Sequence, residues 1–124
     1  MTTILLVEND ENQSLLYEQE LRFEGYEILT AADGEEALEK FQQQIPDIII
    51  MDIGMSNMDG LETIGWILSK HKEIPIIIYT AYSSYKDNFM SWLADAYIIK
   101  SSDLTELKDK IICLLSIRQQ RLCR

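Results

Sequence analysis

The sequence alternates between short apolar runs and longer segments with helical spacing, and this alternation limits its fold more than any other feature. Uninterrupted apolar runs lie at 4–7, 48–51, 76–79 and 97–99, and a weaker run with alternating polarity lies at 26–30. Continuous apolar runs are typical of strands that are covered on both faces, whereas half-exposed strands alternate. The runs therefore predict a parallel sheet between two layers of helices.

The segments between the runs repeat apolar residues at intervals of three and four, which is the spacing of one helix face. Three of these segments begin with an aspartate followed three residues later by a glutamate, a helix-capping pattern: Asp33 with Glu36, Asp59 with Glu62, and Asp103 with Glu106. The segments near 11–24 and 84–93 are less regular but are also predicted to be helical. Five strands and five helices in strict alternation predict a doubly wound α/β domain.

Composition narrows the class of protein. The 124 residues are expected to form one domain, 1–124, with no output domain. The net charge of −10 argues against direct nucleic-acid binding, which depends on neutralising phosphates. The sequence has no apolar run of the roughly 20 residues that span a bilayer, and its first residues do not resemble a signal peptide. Cys113 and Cys123 are expected to be free thiols in a reducing cytoplasm.

Polar residues follow four of the predicted strands. Glu8 and Asn9 follow the first, Asp52 the third, Thr80 the fourth and Lys100 the fifth. Open parallel sheets bind ligands at the carboxyl ends of their strands, so these side chains are expected at one rim. The set suits Mg²⁺ and a phosphoryl group: carboxylates bind the metal, an aspartate can attack phosphorus, and a lysine and a hydroxyl can hold the phosphoryl oxygens.

Each of these residues, taken singly, has a simpler structural interpretation. Asp10 has Gln13 three residues after it and is interpreted as a cap of the first helix rather than as a ligand. Asp52 is harder to explain in this way, because a charge placed directly after an apolar run is costly to bury without compensation. It is the joint placement of acids, hydroxyl and lysine that indicates a functional site.

With these residues in place, the sequence resembles the receiver domain of a response regulator in two-component signalling, and within that family the chemotaxis-regulator type. The resemblance covers essentially the whole chain and is carried by the stretches 4–11, 32–38, 46–62, 74–81 and 94–100. The pattern D-x-x-M-x-x-M-D-G that begins at Asp52, with Thr80 and Lys100 downstream, is highly specific. The resemblance implies a flavodoxin-like three-layer sandwich with strand order 2-1-3-4-5.

The resemblance implies a chemical role for each matched residue. Asp52 resembles the phosphoacceptor, which a histidine kinase or a phosphotransfer protein charges, and Lys100 resembles the lysine that pairs with the phosphoryl group. Glu8, Asn9 and Asp52, with the backbone carbonyl of Gly54, correspond to the protein ligands of Mg²⁺. No other cofactor is expected.

The resemblance also implies how the signal leaves the domain. Thr80 and Tyr97 correspond to the switch residues, which act on a surface formed by the fourth helix, the fifth strand and the fifth helix, from about 85 to 115. A downstream protein target is expected, a homodimer is left open, and neither nucleic acid nor membrane is expected as a partner. The protein is not expected to be an enzyme beyond self-phosphorylation and slow self-dephosphorylation.

Four positions depart from the family pattern. Asn9 replaces the usual second acid, so weaker Mg²⁺ binding is predicted. Ser101 replaces the proline that usually follows the lysine, and a trans bond between Lys100 and Ser101 is expected because a cis bond without proline costs about 3–4 kcal/mol. Ser56 replaces a common proline, which predicts a more mobile loop. Tyr82 offers no obvious group to orient water, which favours slow dephosphorylation.

Two other functional classes compete with a phosphorylatable switch. Asn9, Ser56 and Ser101 are compatible with a degenerate receiver that acts as an interaction module without phosphorylation. An enzyme on a similar sheet is disfavoured. A haloacid-dehalogenase-type phosphatase needs an acid where Gly54 stands, and the acidic segment 8–11 would repel the phosphate of a flavin.

Overall fold

The computed structural model describes residues 1–52, 60–81 and 94–122. The strands are β1 (Thr3–Val7), β2 (Glu27–Ala31), β3 (Ile48–Met51), β4 (Ile76–Thr80) and β5 (Ala96–Ile99). The helices of the described residues are α1 (Glu11–Phe23), α2 (Gly34–Gln43), α3 (Gly60–Lys70) and α4 (Thr105–Leu122). The helix expected near 84–93 lies outside the described residues, so α4 corresponds to the fifth helix expected from the sequence.

The five strands form one parallel sheet in the order β2-β1-β3-β4-β5, which confirms the expected fold class and strand order. Every residue of β1, β3 and β4 is buried, as their continuous apolar runs predicted. β2 lies at one edge and buries only part of its residues, in keeping with its alternating sequence. The sheet is therefore the central layer of the molecule.

Two apolar clusters cover the two faces of the sheet. On one face, Phe41 of α2 and Ile67 of α3 pack against residues of β1, β3 and β4. On the other face, Tyr17 of α1 and Ile111 of α4 pack against the alternate residues of the same strands. Since successive residues of a strand point to opposite faces, one apolar run supplies both clusters. The expected three-layer arrangement is confirmed.

Local signals place the ends of the helices. Asp33 accepts a hydrogen bond from the backbone N–H of Glu36, so the predicted cap of α2 is confirmed. Gly25 follows α1 with a φ of 97°, a conformation that other residues rarely adopt. Before α4 the sequence pairs Asp103 with Glu106, whereas in the structure Asp103 accepts from the backbone N–H and the hydroxyl of Thr105.

The peptide bonds of the described residues are all trans, and these include the bond from Lys100 to Ser101. No helix in the described ranges combines the length and the apolar character that crossing a bilayer requires. Asp59, Ser56 and Tyr82 lie outside the described residues.

Candidate functional site

The backbone brings three of the predicted site residues to the same rim of the sheet. Glu8, Asp52 and Lys100 are each the first residue after a strand. Each donates its backbone N–H to the last carbonyl of the neighbouring strand, at 2.9, 3.0 and 2.8 Å respectively. The ladder of the sheet thus continues one residue past these strands and fixes the backbone of all three residues.

The side chains of these three residues form one ionic cluster. The Nζ atom of Lys100 donates to Oε1 of Glu8 at 2.5 Å and to Oδ2 of Asp52 at 2.8 Å. The side chains of Glu8, Asp52 and Lys100 are only 3%, 11% and 14% exposed. The predicted arrangement, in which Asp52 faces Lys100 close to Glu8, is present, and two carboxylates against one ammonium leave one net negative charge.

The charge of Lys100 is maintained by its neighbours. Burial of the ammonium lowers the pKa of Lys100, but its hydrogen bonds to Asp52 and Glu8 outweigh that effect and raise the pKa above its ordinary value of 10.5. Lys100 is therefore a cation at neutral pH.

Asp10 belongs to the helix and not to the ionic cluster. Its Oδ1 atom accepts from the backbone N–H groups of Asn12 and Gln13 at 2.9 and 3.1 Å, so its interpretation as the cap of α1 is confirmed. The second carboxylate oxygen of Glu8 accepts from the backbone N–H of Asp10 at 3.1 Å. Glu8 therefore joins the start of α1 to the cluster.

Gln13 is a site residue that the sequence analysis missed. The sequence pattern indicates only a partner of Asp10 in a helix cap, in which the side chain of Gln13 would turn back to the backbone of Asp10. Its Oε1 atom instead accepts a hydrogen bond from Nζ of Lys100 at 2.7 Å. The available signal was positional: the first turn of the helix after β1 lies over the strand ends where Lys100 was predicted.

The two predicted switch residues lie on the same face of the sheet. Thr80 ends β4 and is fully buried. Tyr97 of β5 is aligned with Ile78 and packs against the cluster beneath α2 and α3. Because Thr80 follows Ile78 by two residues, its side chain points to that same face. Their movement as a switch stays a prediction.

The predicted metal ligands are only partly described. Asn9 is exposed and, with Glu8, lines an open cleft beside α1, whereas Gly54 lies outside the described residues. Within the described ranges, no three histidine, cysteine or acidic side chains are grouped as they would be around a metal ion. The anionic donors in the described part of the site are Glu8 and Asp52.

Comparison with known proteins finds relatives that match most of the chain. The family described as response regulator receiver domain matches residues 4–112. Response regulator ArlR of Staphylococcus aureus is 36% identical over 123 residues, which are 98% of this chain and 56% of ArlR. The chain thus spans about half the length of that curated relative.

Solved structures show the same fold. Response regulator TrrA of Thermotoga maritima, in complex with Mg²⁺-BeF, matches with a TM-score of 0.89 and 46% identity over 92% of this chain and 99% of TrrA. TrrA in complex with the histidine kinase ThkA matches with a TM-score of 0.87 and 47% identity over 93% of this chain and 99% of that chain. A CheY-like receiver domain protein from Methanospirillum hungatei has a TM-score of 0.92 and 29% identity over 98% of both chains.

Proposed function

This chain belongs to the response regulator receiver domain family, and we propose that it is a switch in which Asp52 accepts a phosphoryl group. The observation that carries the proposal is the cluster at the rim, where Asp52 and Glu8 share the ammonium of Lys100. Three charges with so little exposure are costly to maintain for stability alone, because well-packed apolar residues would serve a fold equally well. Their placement is understandable if they handle a phosphoryl group.

The proposed reaction is transfer from a phosphohistidine of a kinase or a phosphotransfer protein. A carboxylate oxygen of Asp52 attacks phosphorus, the new O–P bond forms as the P–N bond breaks, and the electron pair of that bond returns to the imidazole nitrogen. Lys100, held charged at the rim, neutralises oxygens of the transferred group. The complex of TrrA with a histidine kinase supports this class of donor.

The donor set of the rim fits a hard cation. Glu8 and Asp52 already direct carboxylate oxygens at one cation, the ammonium of Lys100. We propose that these carboxylates, with Asn9 and the carbonyl of Gly54, bind Mg²⁺, which when bound neutralises charge on the phosphoryl oxygens. The complex of TrrA with Mg²⁺-BeF supports this choice of metal.

The proposed output uses Thr80 at the end of β4 and Tyr97 of β5. Thr80 would turn toward the phosphoryl group and Tyr97 would follow, which changes the surface from about 85 to 115 and its affinity for a downstream protein. Residues 85–93 of that surface lie outside the described residues. We place the protein in the cytoplasm and, because Tyr82 offers no obvious group to orient water, expect slow self-dephosphorylation. A phosphoryl lifetime of seconds or less in the purified protein would contradict that expectation.

One observation favours a second function. Asn9 is uncharged and exposed at the place of the usual second acid, so a degenerate receiver that binds a partner without phosphorylation is the alternative.

The deciding experiment is intact-mass measurement after incubation with acetyl phosphate and Mg²⁺. The wild type should gain one phosphoryl group, and Asp52→Asn should gain none. Asp10→Asn is the matched control at the same rim, since asparagine also caps a helix and the variant should be phosphorylated normally. A wild type that gains no mass would support the degenerate receiver. An Asp52→Asn variant that still gains a phosphoryl group would show that another residue accepts it.

A further inference from the structure

The ammonium of Lys100 has three N–H donors, and among the described residues three side-chain oxygens accept from it. Two belong to the carboxylates of Glu8 and Asp52, and the third is Oε1 of Gln13 at 2.7 Å. The hydrogen bond to Gln13 joins residues 87 positions apart, so it is a tertiary contact between α1 and the end of β5. Gln13 is the uncharged member of the three.

The amide of Gln13 is oriented by a second donor. The hydroxyl of Tyr17, one turn along α1, donates to the same Oε1 atom at 3.3 Å. Because Lys100 and Tyr17 both donate there, the oxygen and not the NH₂ group must face them. Tyr17 is itself fixed, since it is only 5% exposed and packs edge-on against Tyr79 with ring centroids 5.4 Å apart.

The backbone next to Lys100 is held by the same aromatic pair. The hydroxyl of Tyr79 donates to the carbonyl of Ser101 at 3.3 Å and accepts from its N–H at 3.5 Å. A proline at this position would have no N–H to donate. The lysine is thus held at its ammonium by Gln13 and at its backbone by Tyr79 through Ser101.

We propose that Gln13, oriented by Tyr17, is a positioning residue for Lys100. A neutral amide oxygen attracts a dication less than a carboxylate does, so it remains available to the ammonium when the carboxylates turn to other partners. Gln13 then keeps Lys100 at the rim while the ammonium exchanges a carboxylate for phosphoryl oxygens. The role in transfer rests on the proposed function, whereas the positioning of Lys100 does not.

The direct test measures the lysine without any phosphoryl donor or metal. The measurement uses ¹H–¹⁵N spectra of the lysine ammonium groups. In the wild type, the ammonium hydrogens of Lys100 should exchange with water much more slowly than those of the exposed Lys72. Gln13→Met, which keeps the side-chain length and removes the acceptor, should speed exchange of Lys100 roughly tenfold. Gln13→Glu restores an oxygen acceptor and should restore slow exchange. Gln19→Met, at an exposed position of the same helix, is the matched control and should change nothing.

Two results would overturn the positioning role. One is the same rate of ammonium exchange for Lys100 in the wild type and in Gln13→Met, and the other is exchange of Lys100 in the wild type as fast as that of Lys72. The transfer role is read from the rate of phosphorylation by acetyl phosphate at saturating Mg²⁺. That rate should fall roughly fivefold to thirtyfold in Gln13→Met and stay unchanged in Gln19→Met. An unchanged rate in Gln13→Met refutes the transfer role, whereas a wild type that is never phosphorylated refutes the proposed function and leaves the exchange result to decide the positioning.

Discussion

Removal of the positive charge at the rim should destabilise the protein, because the ammonium of Lys100 no longer offsets the repulsion between the carboxylates of Glu8 and Asp52. In Lys100→Met the side chain keeps its length and apolar stem but loses the ammonium. Oε1 of Glu8 and Oδ2 of Asp52 contact the same nitrogen, so these two oxygens lie within about 5 Å of each other. Both side chains are largely buried, so water screens their repulsion poorly.

The size of the effect follows from Coulomb's law. Two unit charges about 5 Å apart at an effective dielectric constant of about 20 repel by about 3 kcal/mol. This agrees with the loss of about 3–5 kcal/mol that is typical when one partner of a buried ion pair is removed. We therefore expect Lys100→Met to lower the free energy of unfolding by about 3 kcal/mol, and Tm by roughly 10 °C, without divalent cations.

The assay is chemical and thermal unfolding with a matched lysine as the control. Lys108 also lies between two carboxylates, with Nζ 3.1 Å from Glu20 and 3.2 Å from Glu24, but these side chains are 45% and 43% exposed. Solvent screening should therefore make Lys108→Met a much milder change than Lys100→Met.

Two further measurements identify the cause of the destabilisation. Adding Asp52→Asn to Lys100→Met removes one of the repelling charges and should recover most of the lost stability. Mg²⁺ should stabilise Lys100→Met more than the wild type, because the ammonium no longer competes for the carboxylates. If Lys100→Met is no less stable than Lys108→Met, or if the second substitution recovers nothing, the electrostatic account of the rim is wrong.

Three further outcomes are expected. Asn9→Asp should raise Mg²⁺ affinity about tenfold in a metal titration, because a carboxylate near a dication contributes roughly 1–3 kcal/mol; an unchanged affinity means that residue 9 is not at the metal. Burial raises the pKa of Tyr17 and of Tyr79 above 10.0, and the pKa of Lys100 is also raised. The folded state thus holds these protons more tightly than the unfolded state. The free energy of unfolding, measured by urea denaturation, should therefore fall as pH rises above about 10, and it should fall less steeply in Tyr79→Phe. The same dependence on pH in both proteins would contradict this. Asp10→Ala should cost about 1 kcal/mol in the same assay and Asp10→Asn far less, and equal losses would mean that Asp10 is not acting as a cap.

The positions of the strands, and which residues follow them, could be read from the sequence. Continuous apolar runs predicted β1, β3 and β4 to within a residue, because a strand covered on both faces excludes polar side chains along its whole length. Parallel strands joined by helices place their carboxyl ends at one rim, so Glu8, Asp52 and Lys100 could be predicted to meet. Both predictions use only periodicity and chain direction.

Only the tertiary structure decided which atoms meet at that rim. Gln13 carries the sequence signal of a helix cap, yet its side chain reaches Lys100, while Glu8 accepts from the backbone N–H of Asp10. The choice depends on the position of an ammonium 87 residues away in the chain, and on Tyr17, whose hydroxyl fixes the amide. A local pattern records what a residue can bond to, whereas packing decides which of the available partners comes within reach.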